Sequence, residues 1–259
     1  MEWESWLLLG IGGYLLIVTV LNFLFPEPHL DWSKIDLENI TMPKGFVWGV
    51  ATASHQIEGG NTNNWTQFEQ RENKEQSGKA CDHWNLWTKD HELLTQLGVN
   101  SYRFSIEWSR IEPVQGEWNE AAIEVYSQMI DSLIARGIEP MITLHHFSHP
   151  VWFEELGGFY NRENIVHFQN FCKKLFPYFS SRVTKWCTIN EPDVFSIMGY
   201  HMGMFPPGQR SPIKAIRVMK NVMIAHGEVY HELKQMSPDS YIGLAKNVTI
   251  FDPYRRWNL

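Results

Sequence analysis

Apolar residues form two kinds of pattern along this chain: one long unbroken run near the start, and then short apolar runs that alternate with amphipathic segments. The long run covers residues 6–25, WLLLGIGGYLLIVTVLNFLF, and contains no formal charge. About 20 consecutive apolar residues are what an α-helix needs to cross the hydrocarbon core of a bilayer. The run therefore predicts a transmembrane helix.

A cleaved signal peptide is the competing interpretation of this amino-terminal segment. A signal peptide has a basic start and an apolar core of only ~7 to 15 residues, whereas Glu2 and Glu4 precede a longer run in this chain. The difference favours an anchor or uncleaved signal within residues 1–30, with a polar linker beginning at Pro26-Glu27-Pro28 and leading to Pro43. We expect a membrane protein with a single-pass amino-terminal anchor.

The side of the membrane on which the rest of the chain lies stays open. Lys34 and Lys44 are the first positive residues after the apolar run and favour the cytoplasmic side, because positive flanking residues tend to stay there. Three N-x-T tripeptides, at Asn39, Asn64 and Asn247, have the pattern of N-glycosylation acceptors in secretory proteins and do not support that orientation.

From Pro43 onwards, short apolar runs typical of strands alternate with segments of helical periodicity. The predicted strands are residues 46–54, 99–108, 138–146, 183–190 and 240–251. The predicted helices are residues 82–98, 119–137, 161–179 and 213–236. Asn119 is the expected N-cap of its helix and Gly137 the residue that ends it. This alternation predicts parallel strands joined by helical crossovers, hence an α/β fold that is either an open sheet or a (β/α)8 barrel.

Polar residues cluster at the carboxyl ends of these strands, in the stretches ASHQIEG, RFSIEWSR, LHHFSH and INEP. In a parallel α/β barrel the active site assembles at that end, because the βα loops all open on that face. A complete barrel needs eight β/α units in ~250 residues, whereas this chain shows five strands before Leu259. We therefore expect an incomplete barrel over residues 41–259.

Composition and charge argue against nucleic-acid partners, disulfides and metal sites. The net charge of −7, without a run of Lys or Arg, argues against a nucleic-acid partner. Three cysteines without C-x-x-C spacing indicate neither a disulfide framework nor a zinc site. The stretch HHFSH contains His145, His146 and His149, but adjacent residues on a strand point to opposite faces, so we reject a metal site. We expect no metal and no cofactor.

Five motifs in a fixed order carry a resemblance to a known family. They are FVWGVATASHQIEG, LGVNSYRFSIEWSRIEP, GIEPMITLHHF, CTINEPDVFSIMGY and FPPG. Together they resemble the amino-terminal half of the β-glucosidase-like glycoside hydrolases of family 1. The resemblance implies a retaining β-glycosidase on a TIM (β/α)8 barrel, with β-linked sugars or glycosides as substrates.

Retaining glycosidases use two carboxyl groups about 5 to 5.5 Å apart, one as proton donor and one as nucleophile. By resemblance, Glu191 is the acid/base, whose pKa has to be raised so that it holds a proton near neutral pH. Asn190 matches the residue that binds the sugar 2-hydroxyl. Gln56 and His146 match residues that bind other hydroxyls of the nonreducing sugar. Arg103 matches the arginine that supports the nucleophile carboxylate.

Aromatic residues and the leaving group add two expectations. Trp108 and Trp152 lie near strand ends by their motif positions and are the candidates among the twelve tryptophans for stacking on a sugar face, and Phe147 supplies an aromatic wall. Thioglucosidases of the family carry Gln at the position of the acid/base. Because Glu191 is retained, the resemblance implies O-glycosides as substrates.

The sequence contains no match to the motif that carries the nucleophile in the family. The family carries it in a T-E-N-G motif on a later strand, and residues 192–259 contain no such motif; their only glutamates are Glu228 and Glu232, in a predicted helix. We expect this chain alone to lack hydrolase activity. A membrane-anchored carbohydrate-binding pseudoenzyme is the alternative from a different functional class, although retention of the site residues speaks against it.

Overall fold

The computed structural model describes residues 3–26, 31–34, 36 and 39–249 of the chain. It forms two compact units, one made of residues 1–46 with 248–259 and the other of Val47–Asn247. The linker residues Glu27 and Pro28, and the end of the predicted strand 240–251, lie outside the described residues.

The first unit contains helix α1, Trp3–Leu24, and a short 3-10 helix, Trp32–Lys34. Within α1, the span Ser5–Leu24 is long and apolar enough to cross a membrane, and none of it is buried. A signal sequence near the amino terminus has the same properties. The sequence prediction of one long apolar helix is confirmed.

The second unit contains a parallel sheet of five strands, whose order in the sheet follows their order along the chain. The strands are β1 Gly49–Ala51, β2 Ser101–Ser105, β3 Glu139–His145, β4 Lys185–Asn190 and β5 Tyr241–Ala245. A doubly wound sheet reverses its strand order at a switch point, and this sheet does not. Sequential parallel order is the winding of a (β/α) barrel, with β1 and β5 each paired to one strand among the described residues.

Among the described residues, four long crossover helices and several short helices connect the strands. The long ones are α4 His83–Leu97, α6 Glu120–Ala135, α8 Ile165–Phe179 and α10 Pro212–Met236. The short ones are α2 Ser54–Ile57, α3 Asn64–Arg71, α5 Trp108–Ile111, α7 Val151–Glu155 and α9 Pro192–Tyr200, with 3-10 turns at Gly158–Tyr160 and Arg162–Asn164. All the short helices lie in the segments that follow the carboxyl end of a strand, which is where the site is built.

Helix α6 begins and ends where its sequence predicts. The Asn119 side chain accepts a hydrogen bond from the Ala122 amide at 3.1 Å and so satisfies one of the free N–H groups of the first turn. Gly137 follows the helix with a φ of 71°, which costs glycine little because it has no Cβ. The predicted cap and stop are therefore both confirmed.

The core lies between the sheet and its helices. Buried strand residues such as Ile142 and Leu144 face the inner sides of α6, α8 and α10, which are buried at Ile130, Leu175 and Val222. A cluster of aromatic rings fills the space beside α8; its members include Trp108, Phe153, Phe159, Phe168 and Phe171. This packing holds the carboxyl ends of β2, β3 and β4 in fixed positions.

Three predicted strands are clearly shorter than expected, and the short helices were missed. The predicted strand 240–251 ends at Ala245, and residues 246–249 are irregular. The predicted strand 46–54 ends at Ala51 because Ser54 already starts α2, and the strand 99–108 ends at Ser105 because Trp108 starts α5. Helices of four to nine residues are too short to show a clear period of 3.6 residues. They are stabilised by tertiary contacts and caps, as at Asn63, which forms a capping box with Thr66.

Candidate active site

Each residue predicted for the site lies at or near the carboxyl half of a strand. Gln56 is on α2, shortly after β1, and Arg103 is inside β2. His146 directly follows β3, Asn190 is the last residue of β4, and Glu191 comes next. The parallel register of β2, β3 and β4 brings these segments to one end of the sheet.

Three of these side chains form a hydrogen-bonded row. The Arg103 Nη2 donates to Asn190 Oδ1 at 2.9 Å, and Asn190 Nδ2 donates to Glu191 Oε2 at 3.3 Å. Because its oxygen faces the guanidinium, the amide must present its nitrogen to the carboxyl group. The row therefore fixes the orientation of Asn190, which is 3% exposed.

Arg103 has a further N–H group that is not used in this row. Its Nε is buried and has no hydrogen-bond partner among the described residues. A buried donor without an acceptor is costly, by roughly 1–3 kcal/mol or more for a charged group. The geometry therefore leaves room for an anionic or polar acceptor beside the row.

Glu191 has an unusual backbone conformation. Its φ of 41° and ψ of 69° lie in the left-handed region, which residues other than glycine rarely adopt. Its amide donates to the Ala245 carbonyl at 2.8 Å, and Pro192 begins α9 immediately afterwards. The contact with β5 and the start of α9 hold the residue in this conformation, which directs a half-buried carboxyl group toward Asn190.

Gln56 and His146 meet in a pocket of about 460 Å³. The other lining residues are Ala53, His55, Trp65, Glu69, Glu75, Gln76, Ser77, Ala80 and Phe147. Gln56 is exposed to this space, whereas His146 is partly buried and its Nδ1 has no hydrogen-bond partner among the described residues. Both side chains are thus free to bind polar groups of a ligand.

The environment of His146 keeps its ring neutral. Burial of the imidazole, with a smaller contribution from the positive charge of Arg103, lowers the pKa of His146 to about 4. A neutral imidazole has one N–H donor and one acceptor nitrogen, which suits a hydroxyl group. The effect of Arg103 on His146 also links the pocket to the row that ends at Glu191.

Trp65 and Glu69 complete the pocket and were missed by the sequence analysis. Trp65 Nε1 donates to the Phe147 carbonyl at 3.0 Å, and its ring lies 4.8 Å from that of Phe205. Glu69 accepts from the amide and hydroxyl of Ser77 at 2.8 and 3.0 Å, which fixes the loop that forms one wall. Both residues lie on α3, whose position next to the strand ends no local pattern reveals.

The expectation that Trp108 stacks on a sugar is wrong. Trp108 is fully buried, packs on Phe171 with ring centroids 4.9 Å apart, and donates to Glu112 at 2.8 Å. Trp152 is partly buried, and its Nε1 donates to the Glu112 carbonyl at 2.9 Å. The tryptophan that lines the pocket is Trp65.

The histidines of HHFSH point in different directions. His145 is fully buried against Phe159 and Phe195 and lies 3.2 Å from His149, whereas His146 lines the pocket. Within the part of the chain that the structure describes, no group of three His, Cys, Asp or Glu side chains is placed to hold a metal ion. Glu232, one of the two later glutamates, lies on α10 and pairs with Lys173 at 3.5 Å.

Comparison with known proteins decides the family. The model of Glycosyl hydrolase family 1 matches residues 38–258. The chain belongs to this family. The family 1 chain is 37% identical over 222 residues to β-glucosidase A of Thermotoga maritima, covering 82% of this chain and 50% of the relative. It is 36% identical over 206 residues to human cytosolic β-glucosidase, covering 74% of this chain and 44% of that one.

Solved structures of family 1 relatives superimpose on this chain and support the same family assignment. A β-glycosidase from Pyrococcus horikoshii superimposes with a TM-score of 0.75 and 43% identity, over 81% of this chain and 49% of that chain. The Thermotoga maritima β-glucosidase superimposes with a TM-score of 0.79, over 82% and 50%. The chain spans about half the length of the relatives it matches and corresponds to their amino-terminal portion. Family 1 glycosidases are TIM barrels, and the five-stranded parallel sheet fits part of one.

Proposed function

We propose that this chain supplies the proton donor and the sugar-binding half of a retaining β-glycosidase site. One observation carries the proposal: the hydrogen-bonded row Arg103–Asn190–Glu191 and the pocket of Gln56 and His146 lie at the same end of the sheet. The relatives are β-glucosidases, which supports β-linked O-glycosides as substrates.

Glu191 acts as the general acid in this proposal. In the first step its proton moves to the glycosidic oxygen while a carboxylate nucleophile attacks the anomeric carbon, so the alcohol leaves and a glycosyl-enzyme forms. In the second step Glu191 accepts a proton from water, which releases the sugar with its original anomeric configuration. During both steps Asn190 binds the 2-hydroxyl of the sugar, and Arg103 orients the amide of Asn190.

Gln56 and the neutral His146 bind the remaining hydroxyl groups of the sugar. Both side chains donate and accept hydrogen bonds without carrying charge, which suits adjacent hydroxyl groups. Trp65 and Phe147 give the pocket apolar walls against which a sugar face packs.

Arg103 supports the nucleophile in this proposal, through its unpaired Nε. Residues 192–259 contain no T-E-N-G motif, so we infer that a protein consisting of these 259 residues does not hydrolyse glycosides. We also infer that residues 6–25 anchor it in a membrane, because α1 has the necessary length and apolar surface.

A substitute nucleophile tests the assignment of Glu191. The purified 259-residue chain is incubated with 2,4-dinitrophenyl and phenyl β-glucosides, with and without sodium formate as an external carboxylate. The first leaving group departs without protonation, whereas the second requires an acid. We expect formate-dependent release of both by the wild type, and of the dinitrophenol alone by Glu191→Gln.

Three outcomes would count against these proposals. Hydrolysis without formate would refute the inferred lack of activity. Formate-dependent release of phenol by Glu191→Gln would refute the role of Glu191 as acid. If neither leaving group is released in the presence of formate although the chain binds sugar, the result favours a carbohydrate-binding pseudoenzyme instead.

A further inference from the structure

Glu107 is a buried acidic residue that the mechanism above does not use. It lies between β2 and α5 and is 0% exposed. Its carboxyl oxygens accept three hydroxyl hydrogen bonds: Ser109 donates to Oε1 at 2.7 Å, and Ser54 and Ser148 donate to Oε2 at 2.9 and 2.8 Å. A buried carboxyl group is retained in a core only when such donors satisfy it.

Two of the three donors belong to the segments that carry the pocket residues. Ser54 is the first residue of α2 and precedes Gln56 by two positions, and Ser148 follows His146 by two positions. Both hydroxyls donate to the same oxygen of Glu107. One atom therefore ties together the turn after β1 and the loop after β3.

The turn that carries Gln56 is also held at its other end. The Ser54 amide donates to Ser105 Oγ at 2.7 Å, and Glu58, just after α2, accepts from Tyr126 Oη at 2.6 Å. The same Tyr126 hydroxyl accepts from the Glu107 amide at 3.0 Å. These bonds fix the residues on both sides of Gln56 and therefore the position of its main chain, while its side chain extends into the pocket.

We propose that Glu107 is a positioning residue that sets the spacing between Gln56 and His146, and thereby matches the pocket to adjacent hydroxyl groups of one sugar ring. The inference rests on the proposed role of these two residues in sugar binding. A carboxylate suits the task because it accepts hydrogen bonds on both oxygens, whereas the amide of glutamine would turn N–H donors toward one side and lose at least one serine.

The first test needs no ligand. Side-chain NMR signals of Gln56 and His146 are recorded in the wild-type chain and in Ser54→Ala, Ser148→Ala, Glu107→Gln and Ser109→Ala. We expect Ser54→Ala to shift the Gln56 amide signals, Ser148→Ala to shift the His146 ring signals, and Glu107→Gln to shift both. Ser109→Ala is the matched control. It also removes a hydrogen bond to Glu107, but Ser109 lies outside the two segments that carry Gln56 and His146.

The second test measures binding of deoxynojirimycin, a sugar-like amine that is seen bound to the Thermotoga maritima relative. We expect Glu107→Gln to weaken its binding about tenfold, the effect of weakening one or two hydrogen bonds between the pocket side chains and the ligand, and Ser109→Ala to change it less than about twofold. If Glu107→Gln does not fold, the two serine variants on the pocket segments decide, each with a smaller loss.

Unchanged Gln56 and His146 signals and unchanged affinity in Glu107→Gln, with only a lower thermal midpoint, would show a purely structural role and overturn the proposal. Absence of deoxynojirimycin binding by the wild type would instead refute the proposed sugar-binding function. In that case the signals of the ligand-free protein still decide whether Glu107 positions the two side chains.

Discussion

At the scale of single residues, the site combines neutral hydrogen-bonding groups with one strained carboxyl residue. His146 is kept uncharged by burial and by Arg103, while Glu191 occupies a left-handed backbone conformation. Both features cost stability and are maintained by the surrounding packing. Each leads to a measurable consequence.

The titration of His146 provides the first prediction. Its pKa of about 4 in the folded chain lies below the ordinary histidine value of 6.5, so the folded chain loses stability from this group as the pH falls from about 6.5 to about 4. Arg103→Met removes the smaller, electrostatic cause and should raise the pKa of His146 part of the way toward 6.5. Ring NMR signals followed against pH measure it. Arg182→Met, which removes a cation paired with Asp131, should leave the midpoint unchanged.

The backbone of Glu191 provides the second prediction. Asparagine tolerates the left-handed region better than glutamate or glutamine, and residues forced into sparsely populated regions cost of order 1–3 kcal/mol. Glu191→Asn should therefore raise the free energy of unfolding by about 1 kcal/mol, and Glu191→Gln should not. Urea denaturation of the three proteins checks this. Equal stability of the two variants would mean that Glu191 is not strained.

At the scale of elements, the short helices after the strands decide the shape of the site. Motif order indicated Gln56, His146, Asn190 and Glu191, and the structure brings them to one end of the sheet. The contribution of Trp65 depends on how α3 packs against the loop after β3. Sequence periodicity does not encode such a contact between segments, because it reports only on neighbours within one element.

Tyr126 connects two of these elements and provides the third prediction. Its hydroxyl donates to Glu58, and burial raises the pKa of Glu58 to about 7 despite the opposing charge of Arg110. Tyr126→Phe removes this donor and also the acceptor of the Glu107 amide. The loss of the bond to Glu58 should cost roughly 1–3 kcal/mol of unfolding free energy at pH 8, where Glu58 is charged, in addition to a cost from the Glu107 amide that does not depend on pH. The cost from Glu58 should shrink below pH 7, where the carboxyl group is protonated.

Tyr178→Phe serves as the control for this experiment. The Tyr178 hydroxyl also donates to a glutamate, Glu120, but that pair is exposed. Exposed hydrogen bonds of this kind contribute little to stability. Denaturant titrations at the two pH values should therefore show an effect for Tyr126→Phe that is larger and that depends on pH; equal effects would contradict the account.

At the scale of the whole molecule, an apolar helix precedes one part of a glycosidase barrel. The alternation of strands and helices and the winding of the sheet were predictable because each element is long enough to show its own period. The proposed membrane role of α1 rests on its length and apolar surface alone. It therefore needs an experiment of its own.

Membrane insertion provides the fourth prediction. When expressed in cells, the chain should stay with the membrane fraction after alkaline washing, and its mass should include residues 1–30. The double variant Leu15→Arg/Leu16→Arg should be released, because each arginine at the centre of a membrane helix costs about 2.5–3.5 kcal/mol. Loss of the first 30 residues from the mature protein would show a cleaved signal instead.

The decisive experiment measures whether the 259-residue chain binds deoxynojirimycin through Gln56 and His146. Calorimetric titration compares the wild type, the double variant Gln56→Ala/His146→Ala and the control Gln128→Ala, which alters an exposed glutamine that donates to Glu124 on α6. We expect saturable binding by the wild type and the control, and loss of binding in the double variant. No binding by the wild type, or equal binding by all three proteins, would contradict the proposed sugar-binding function.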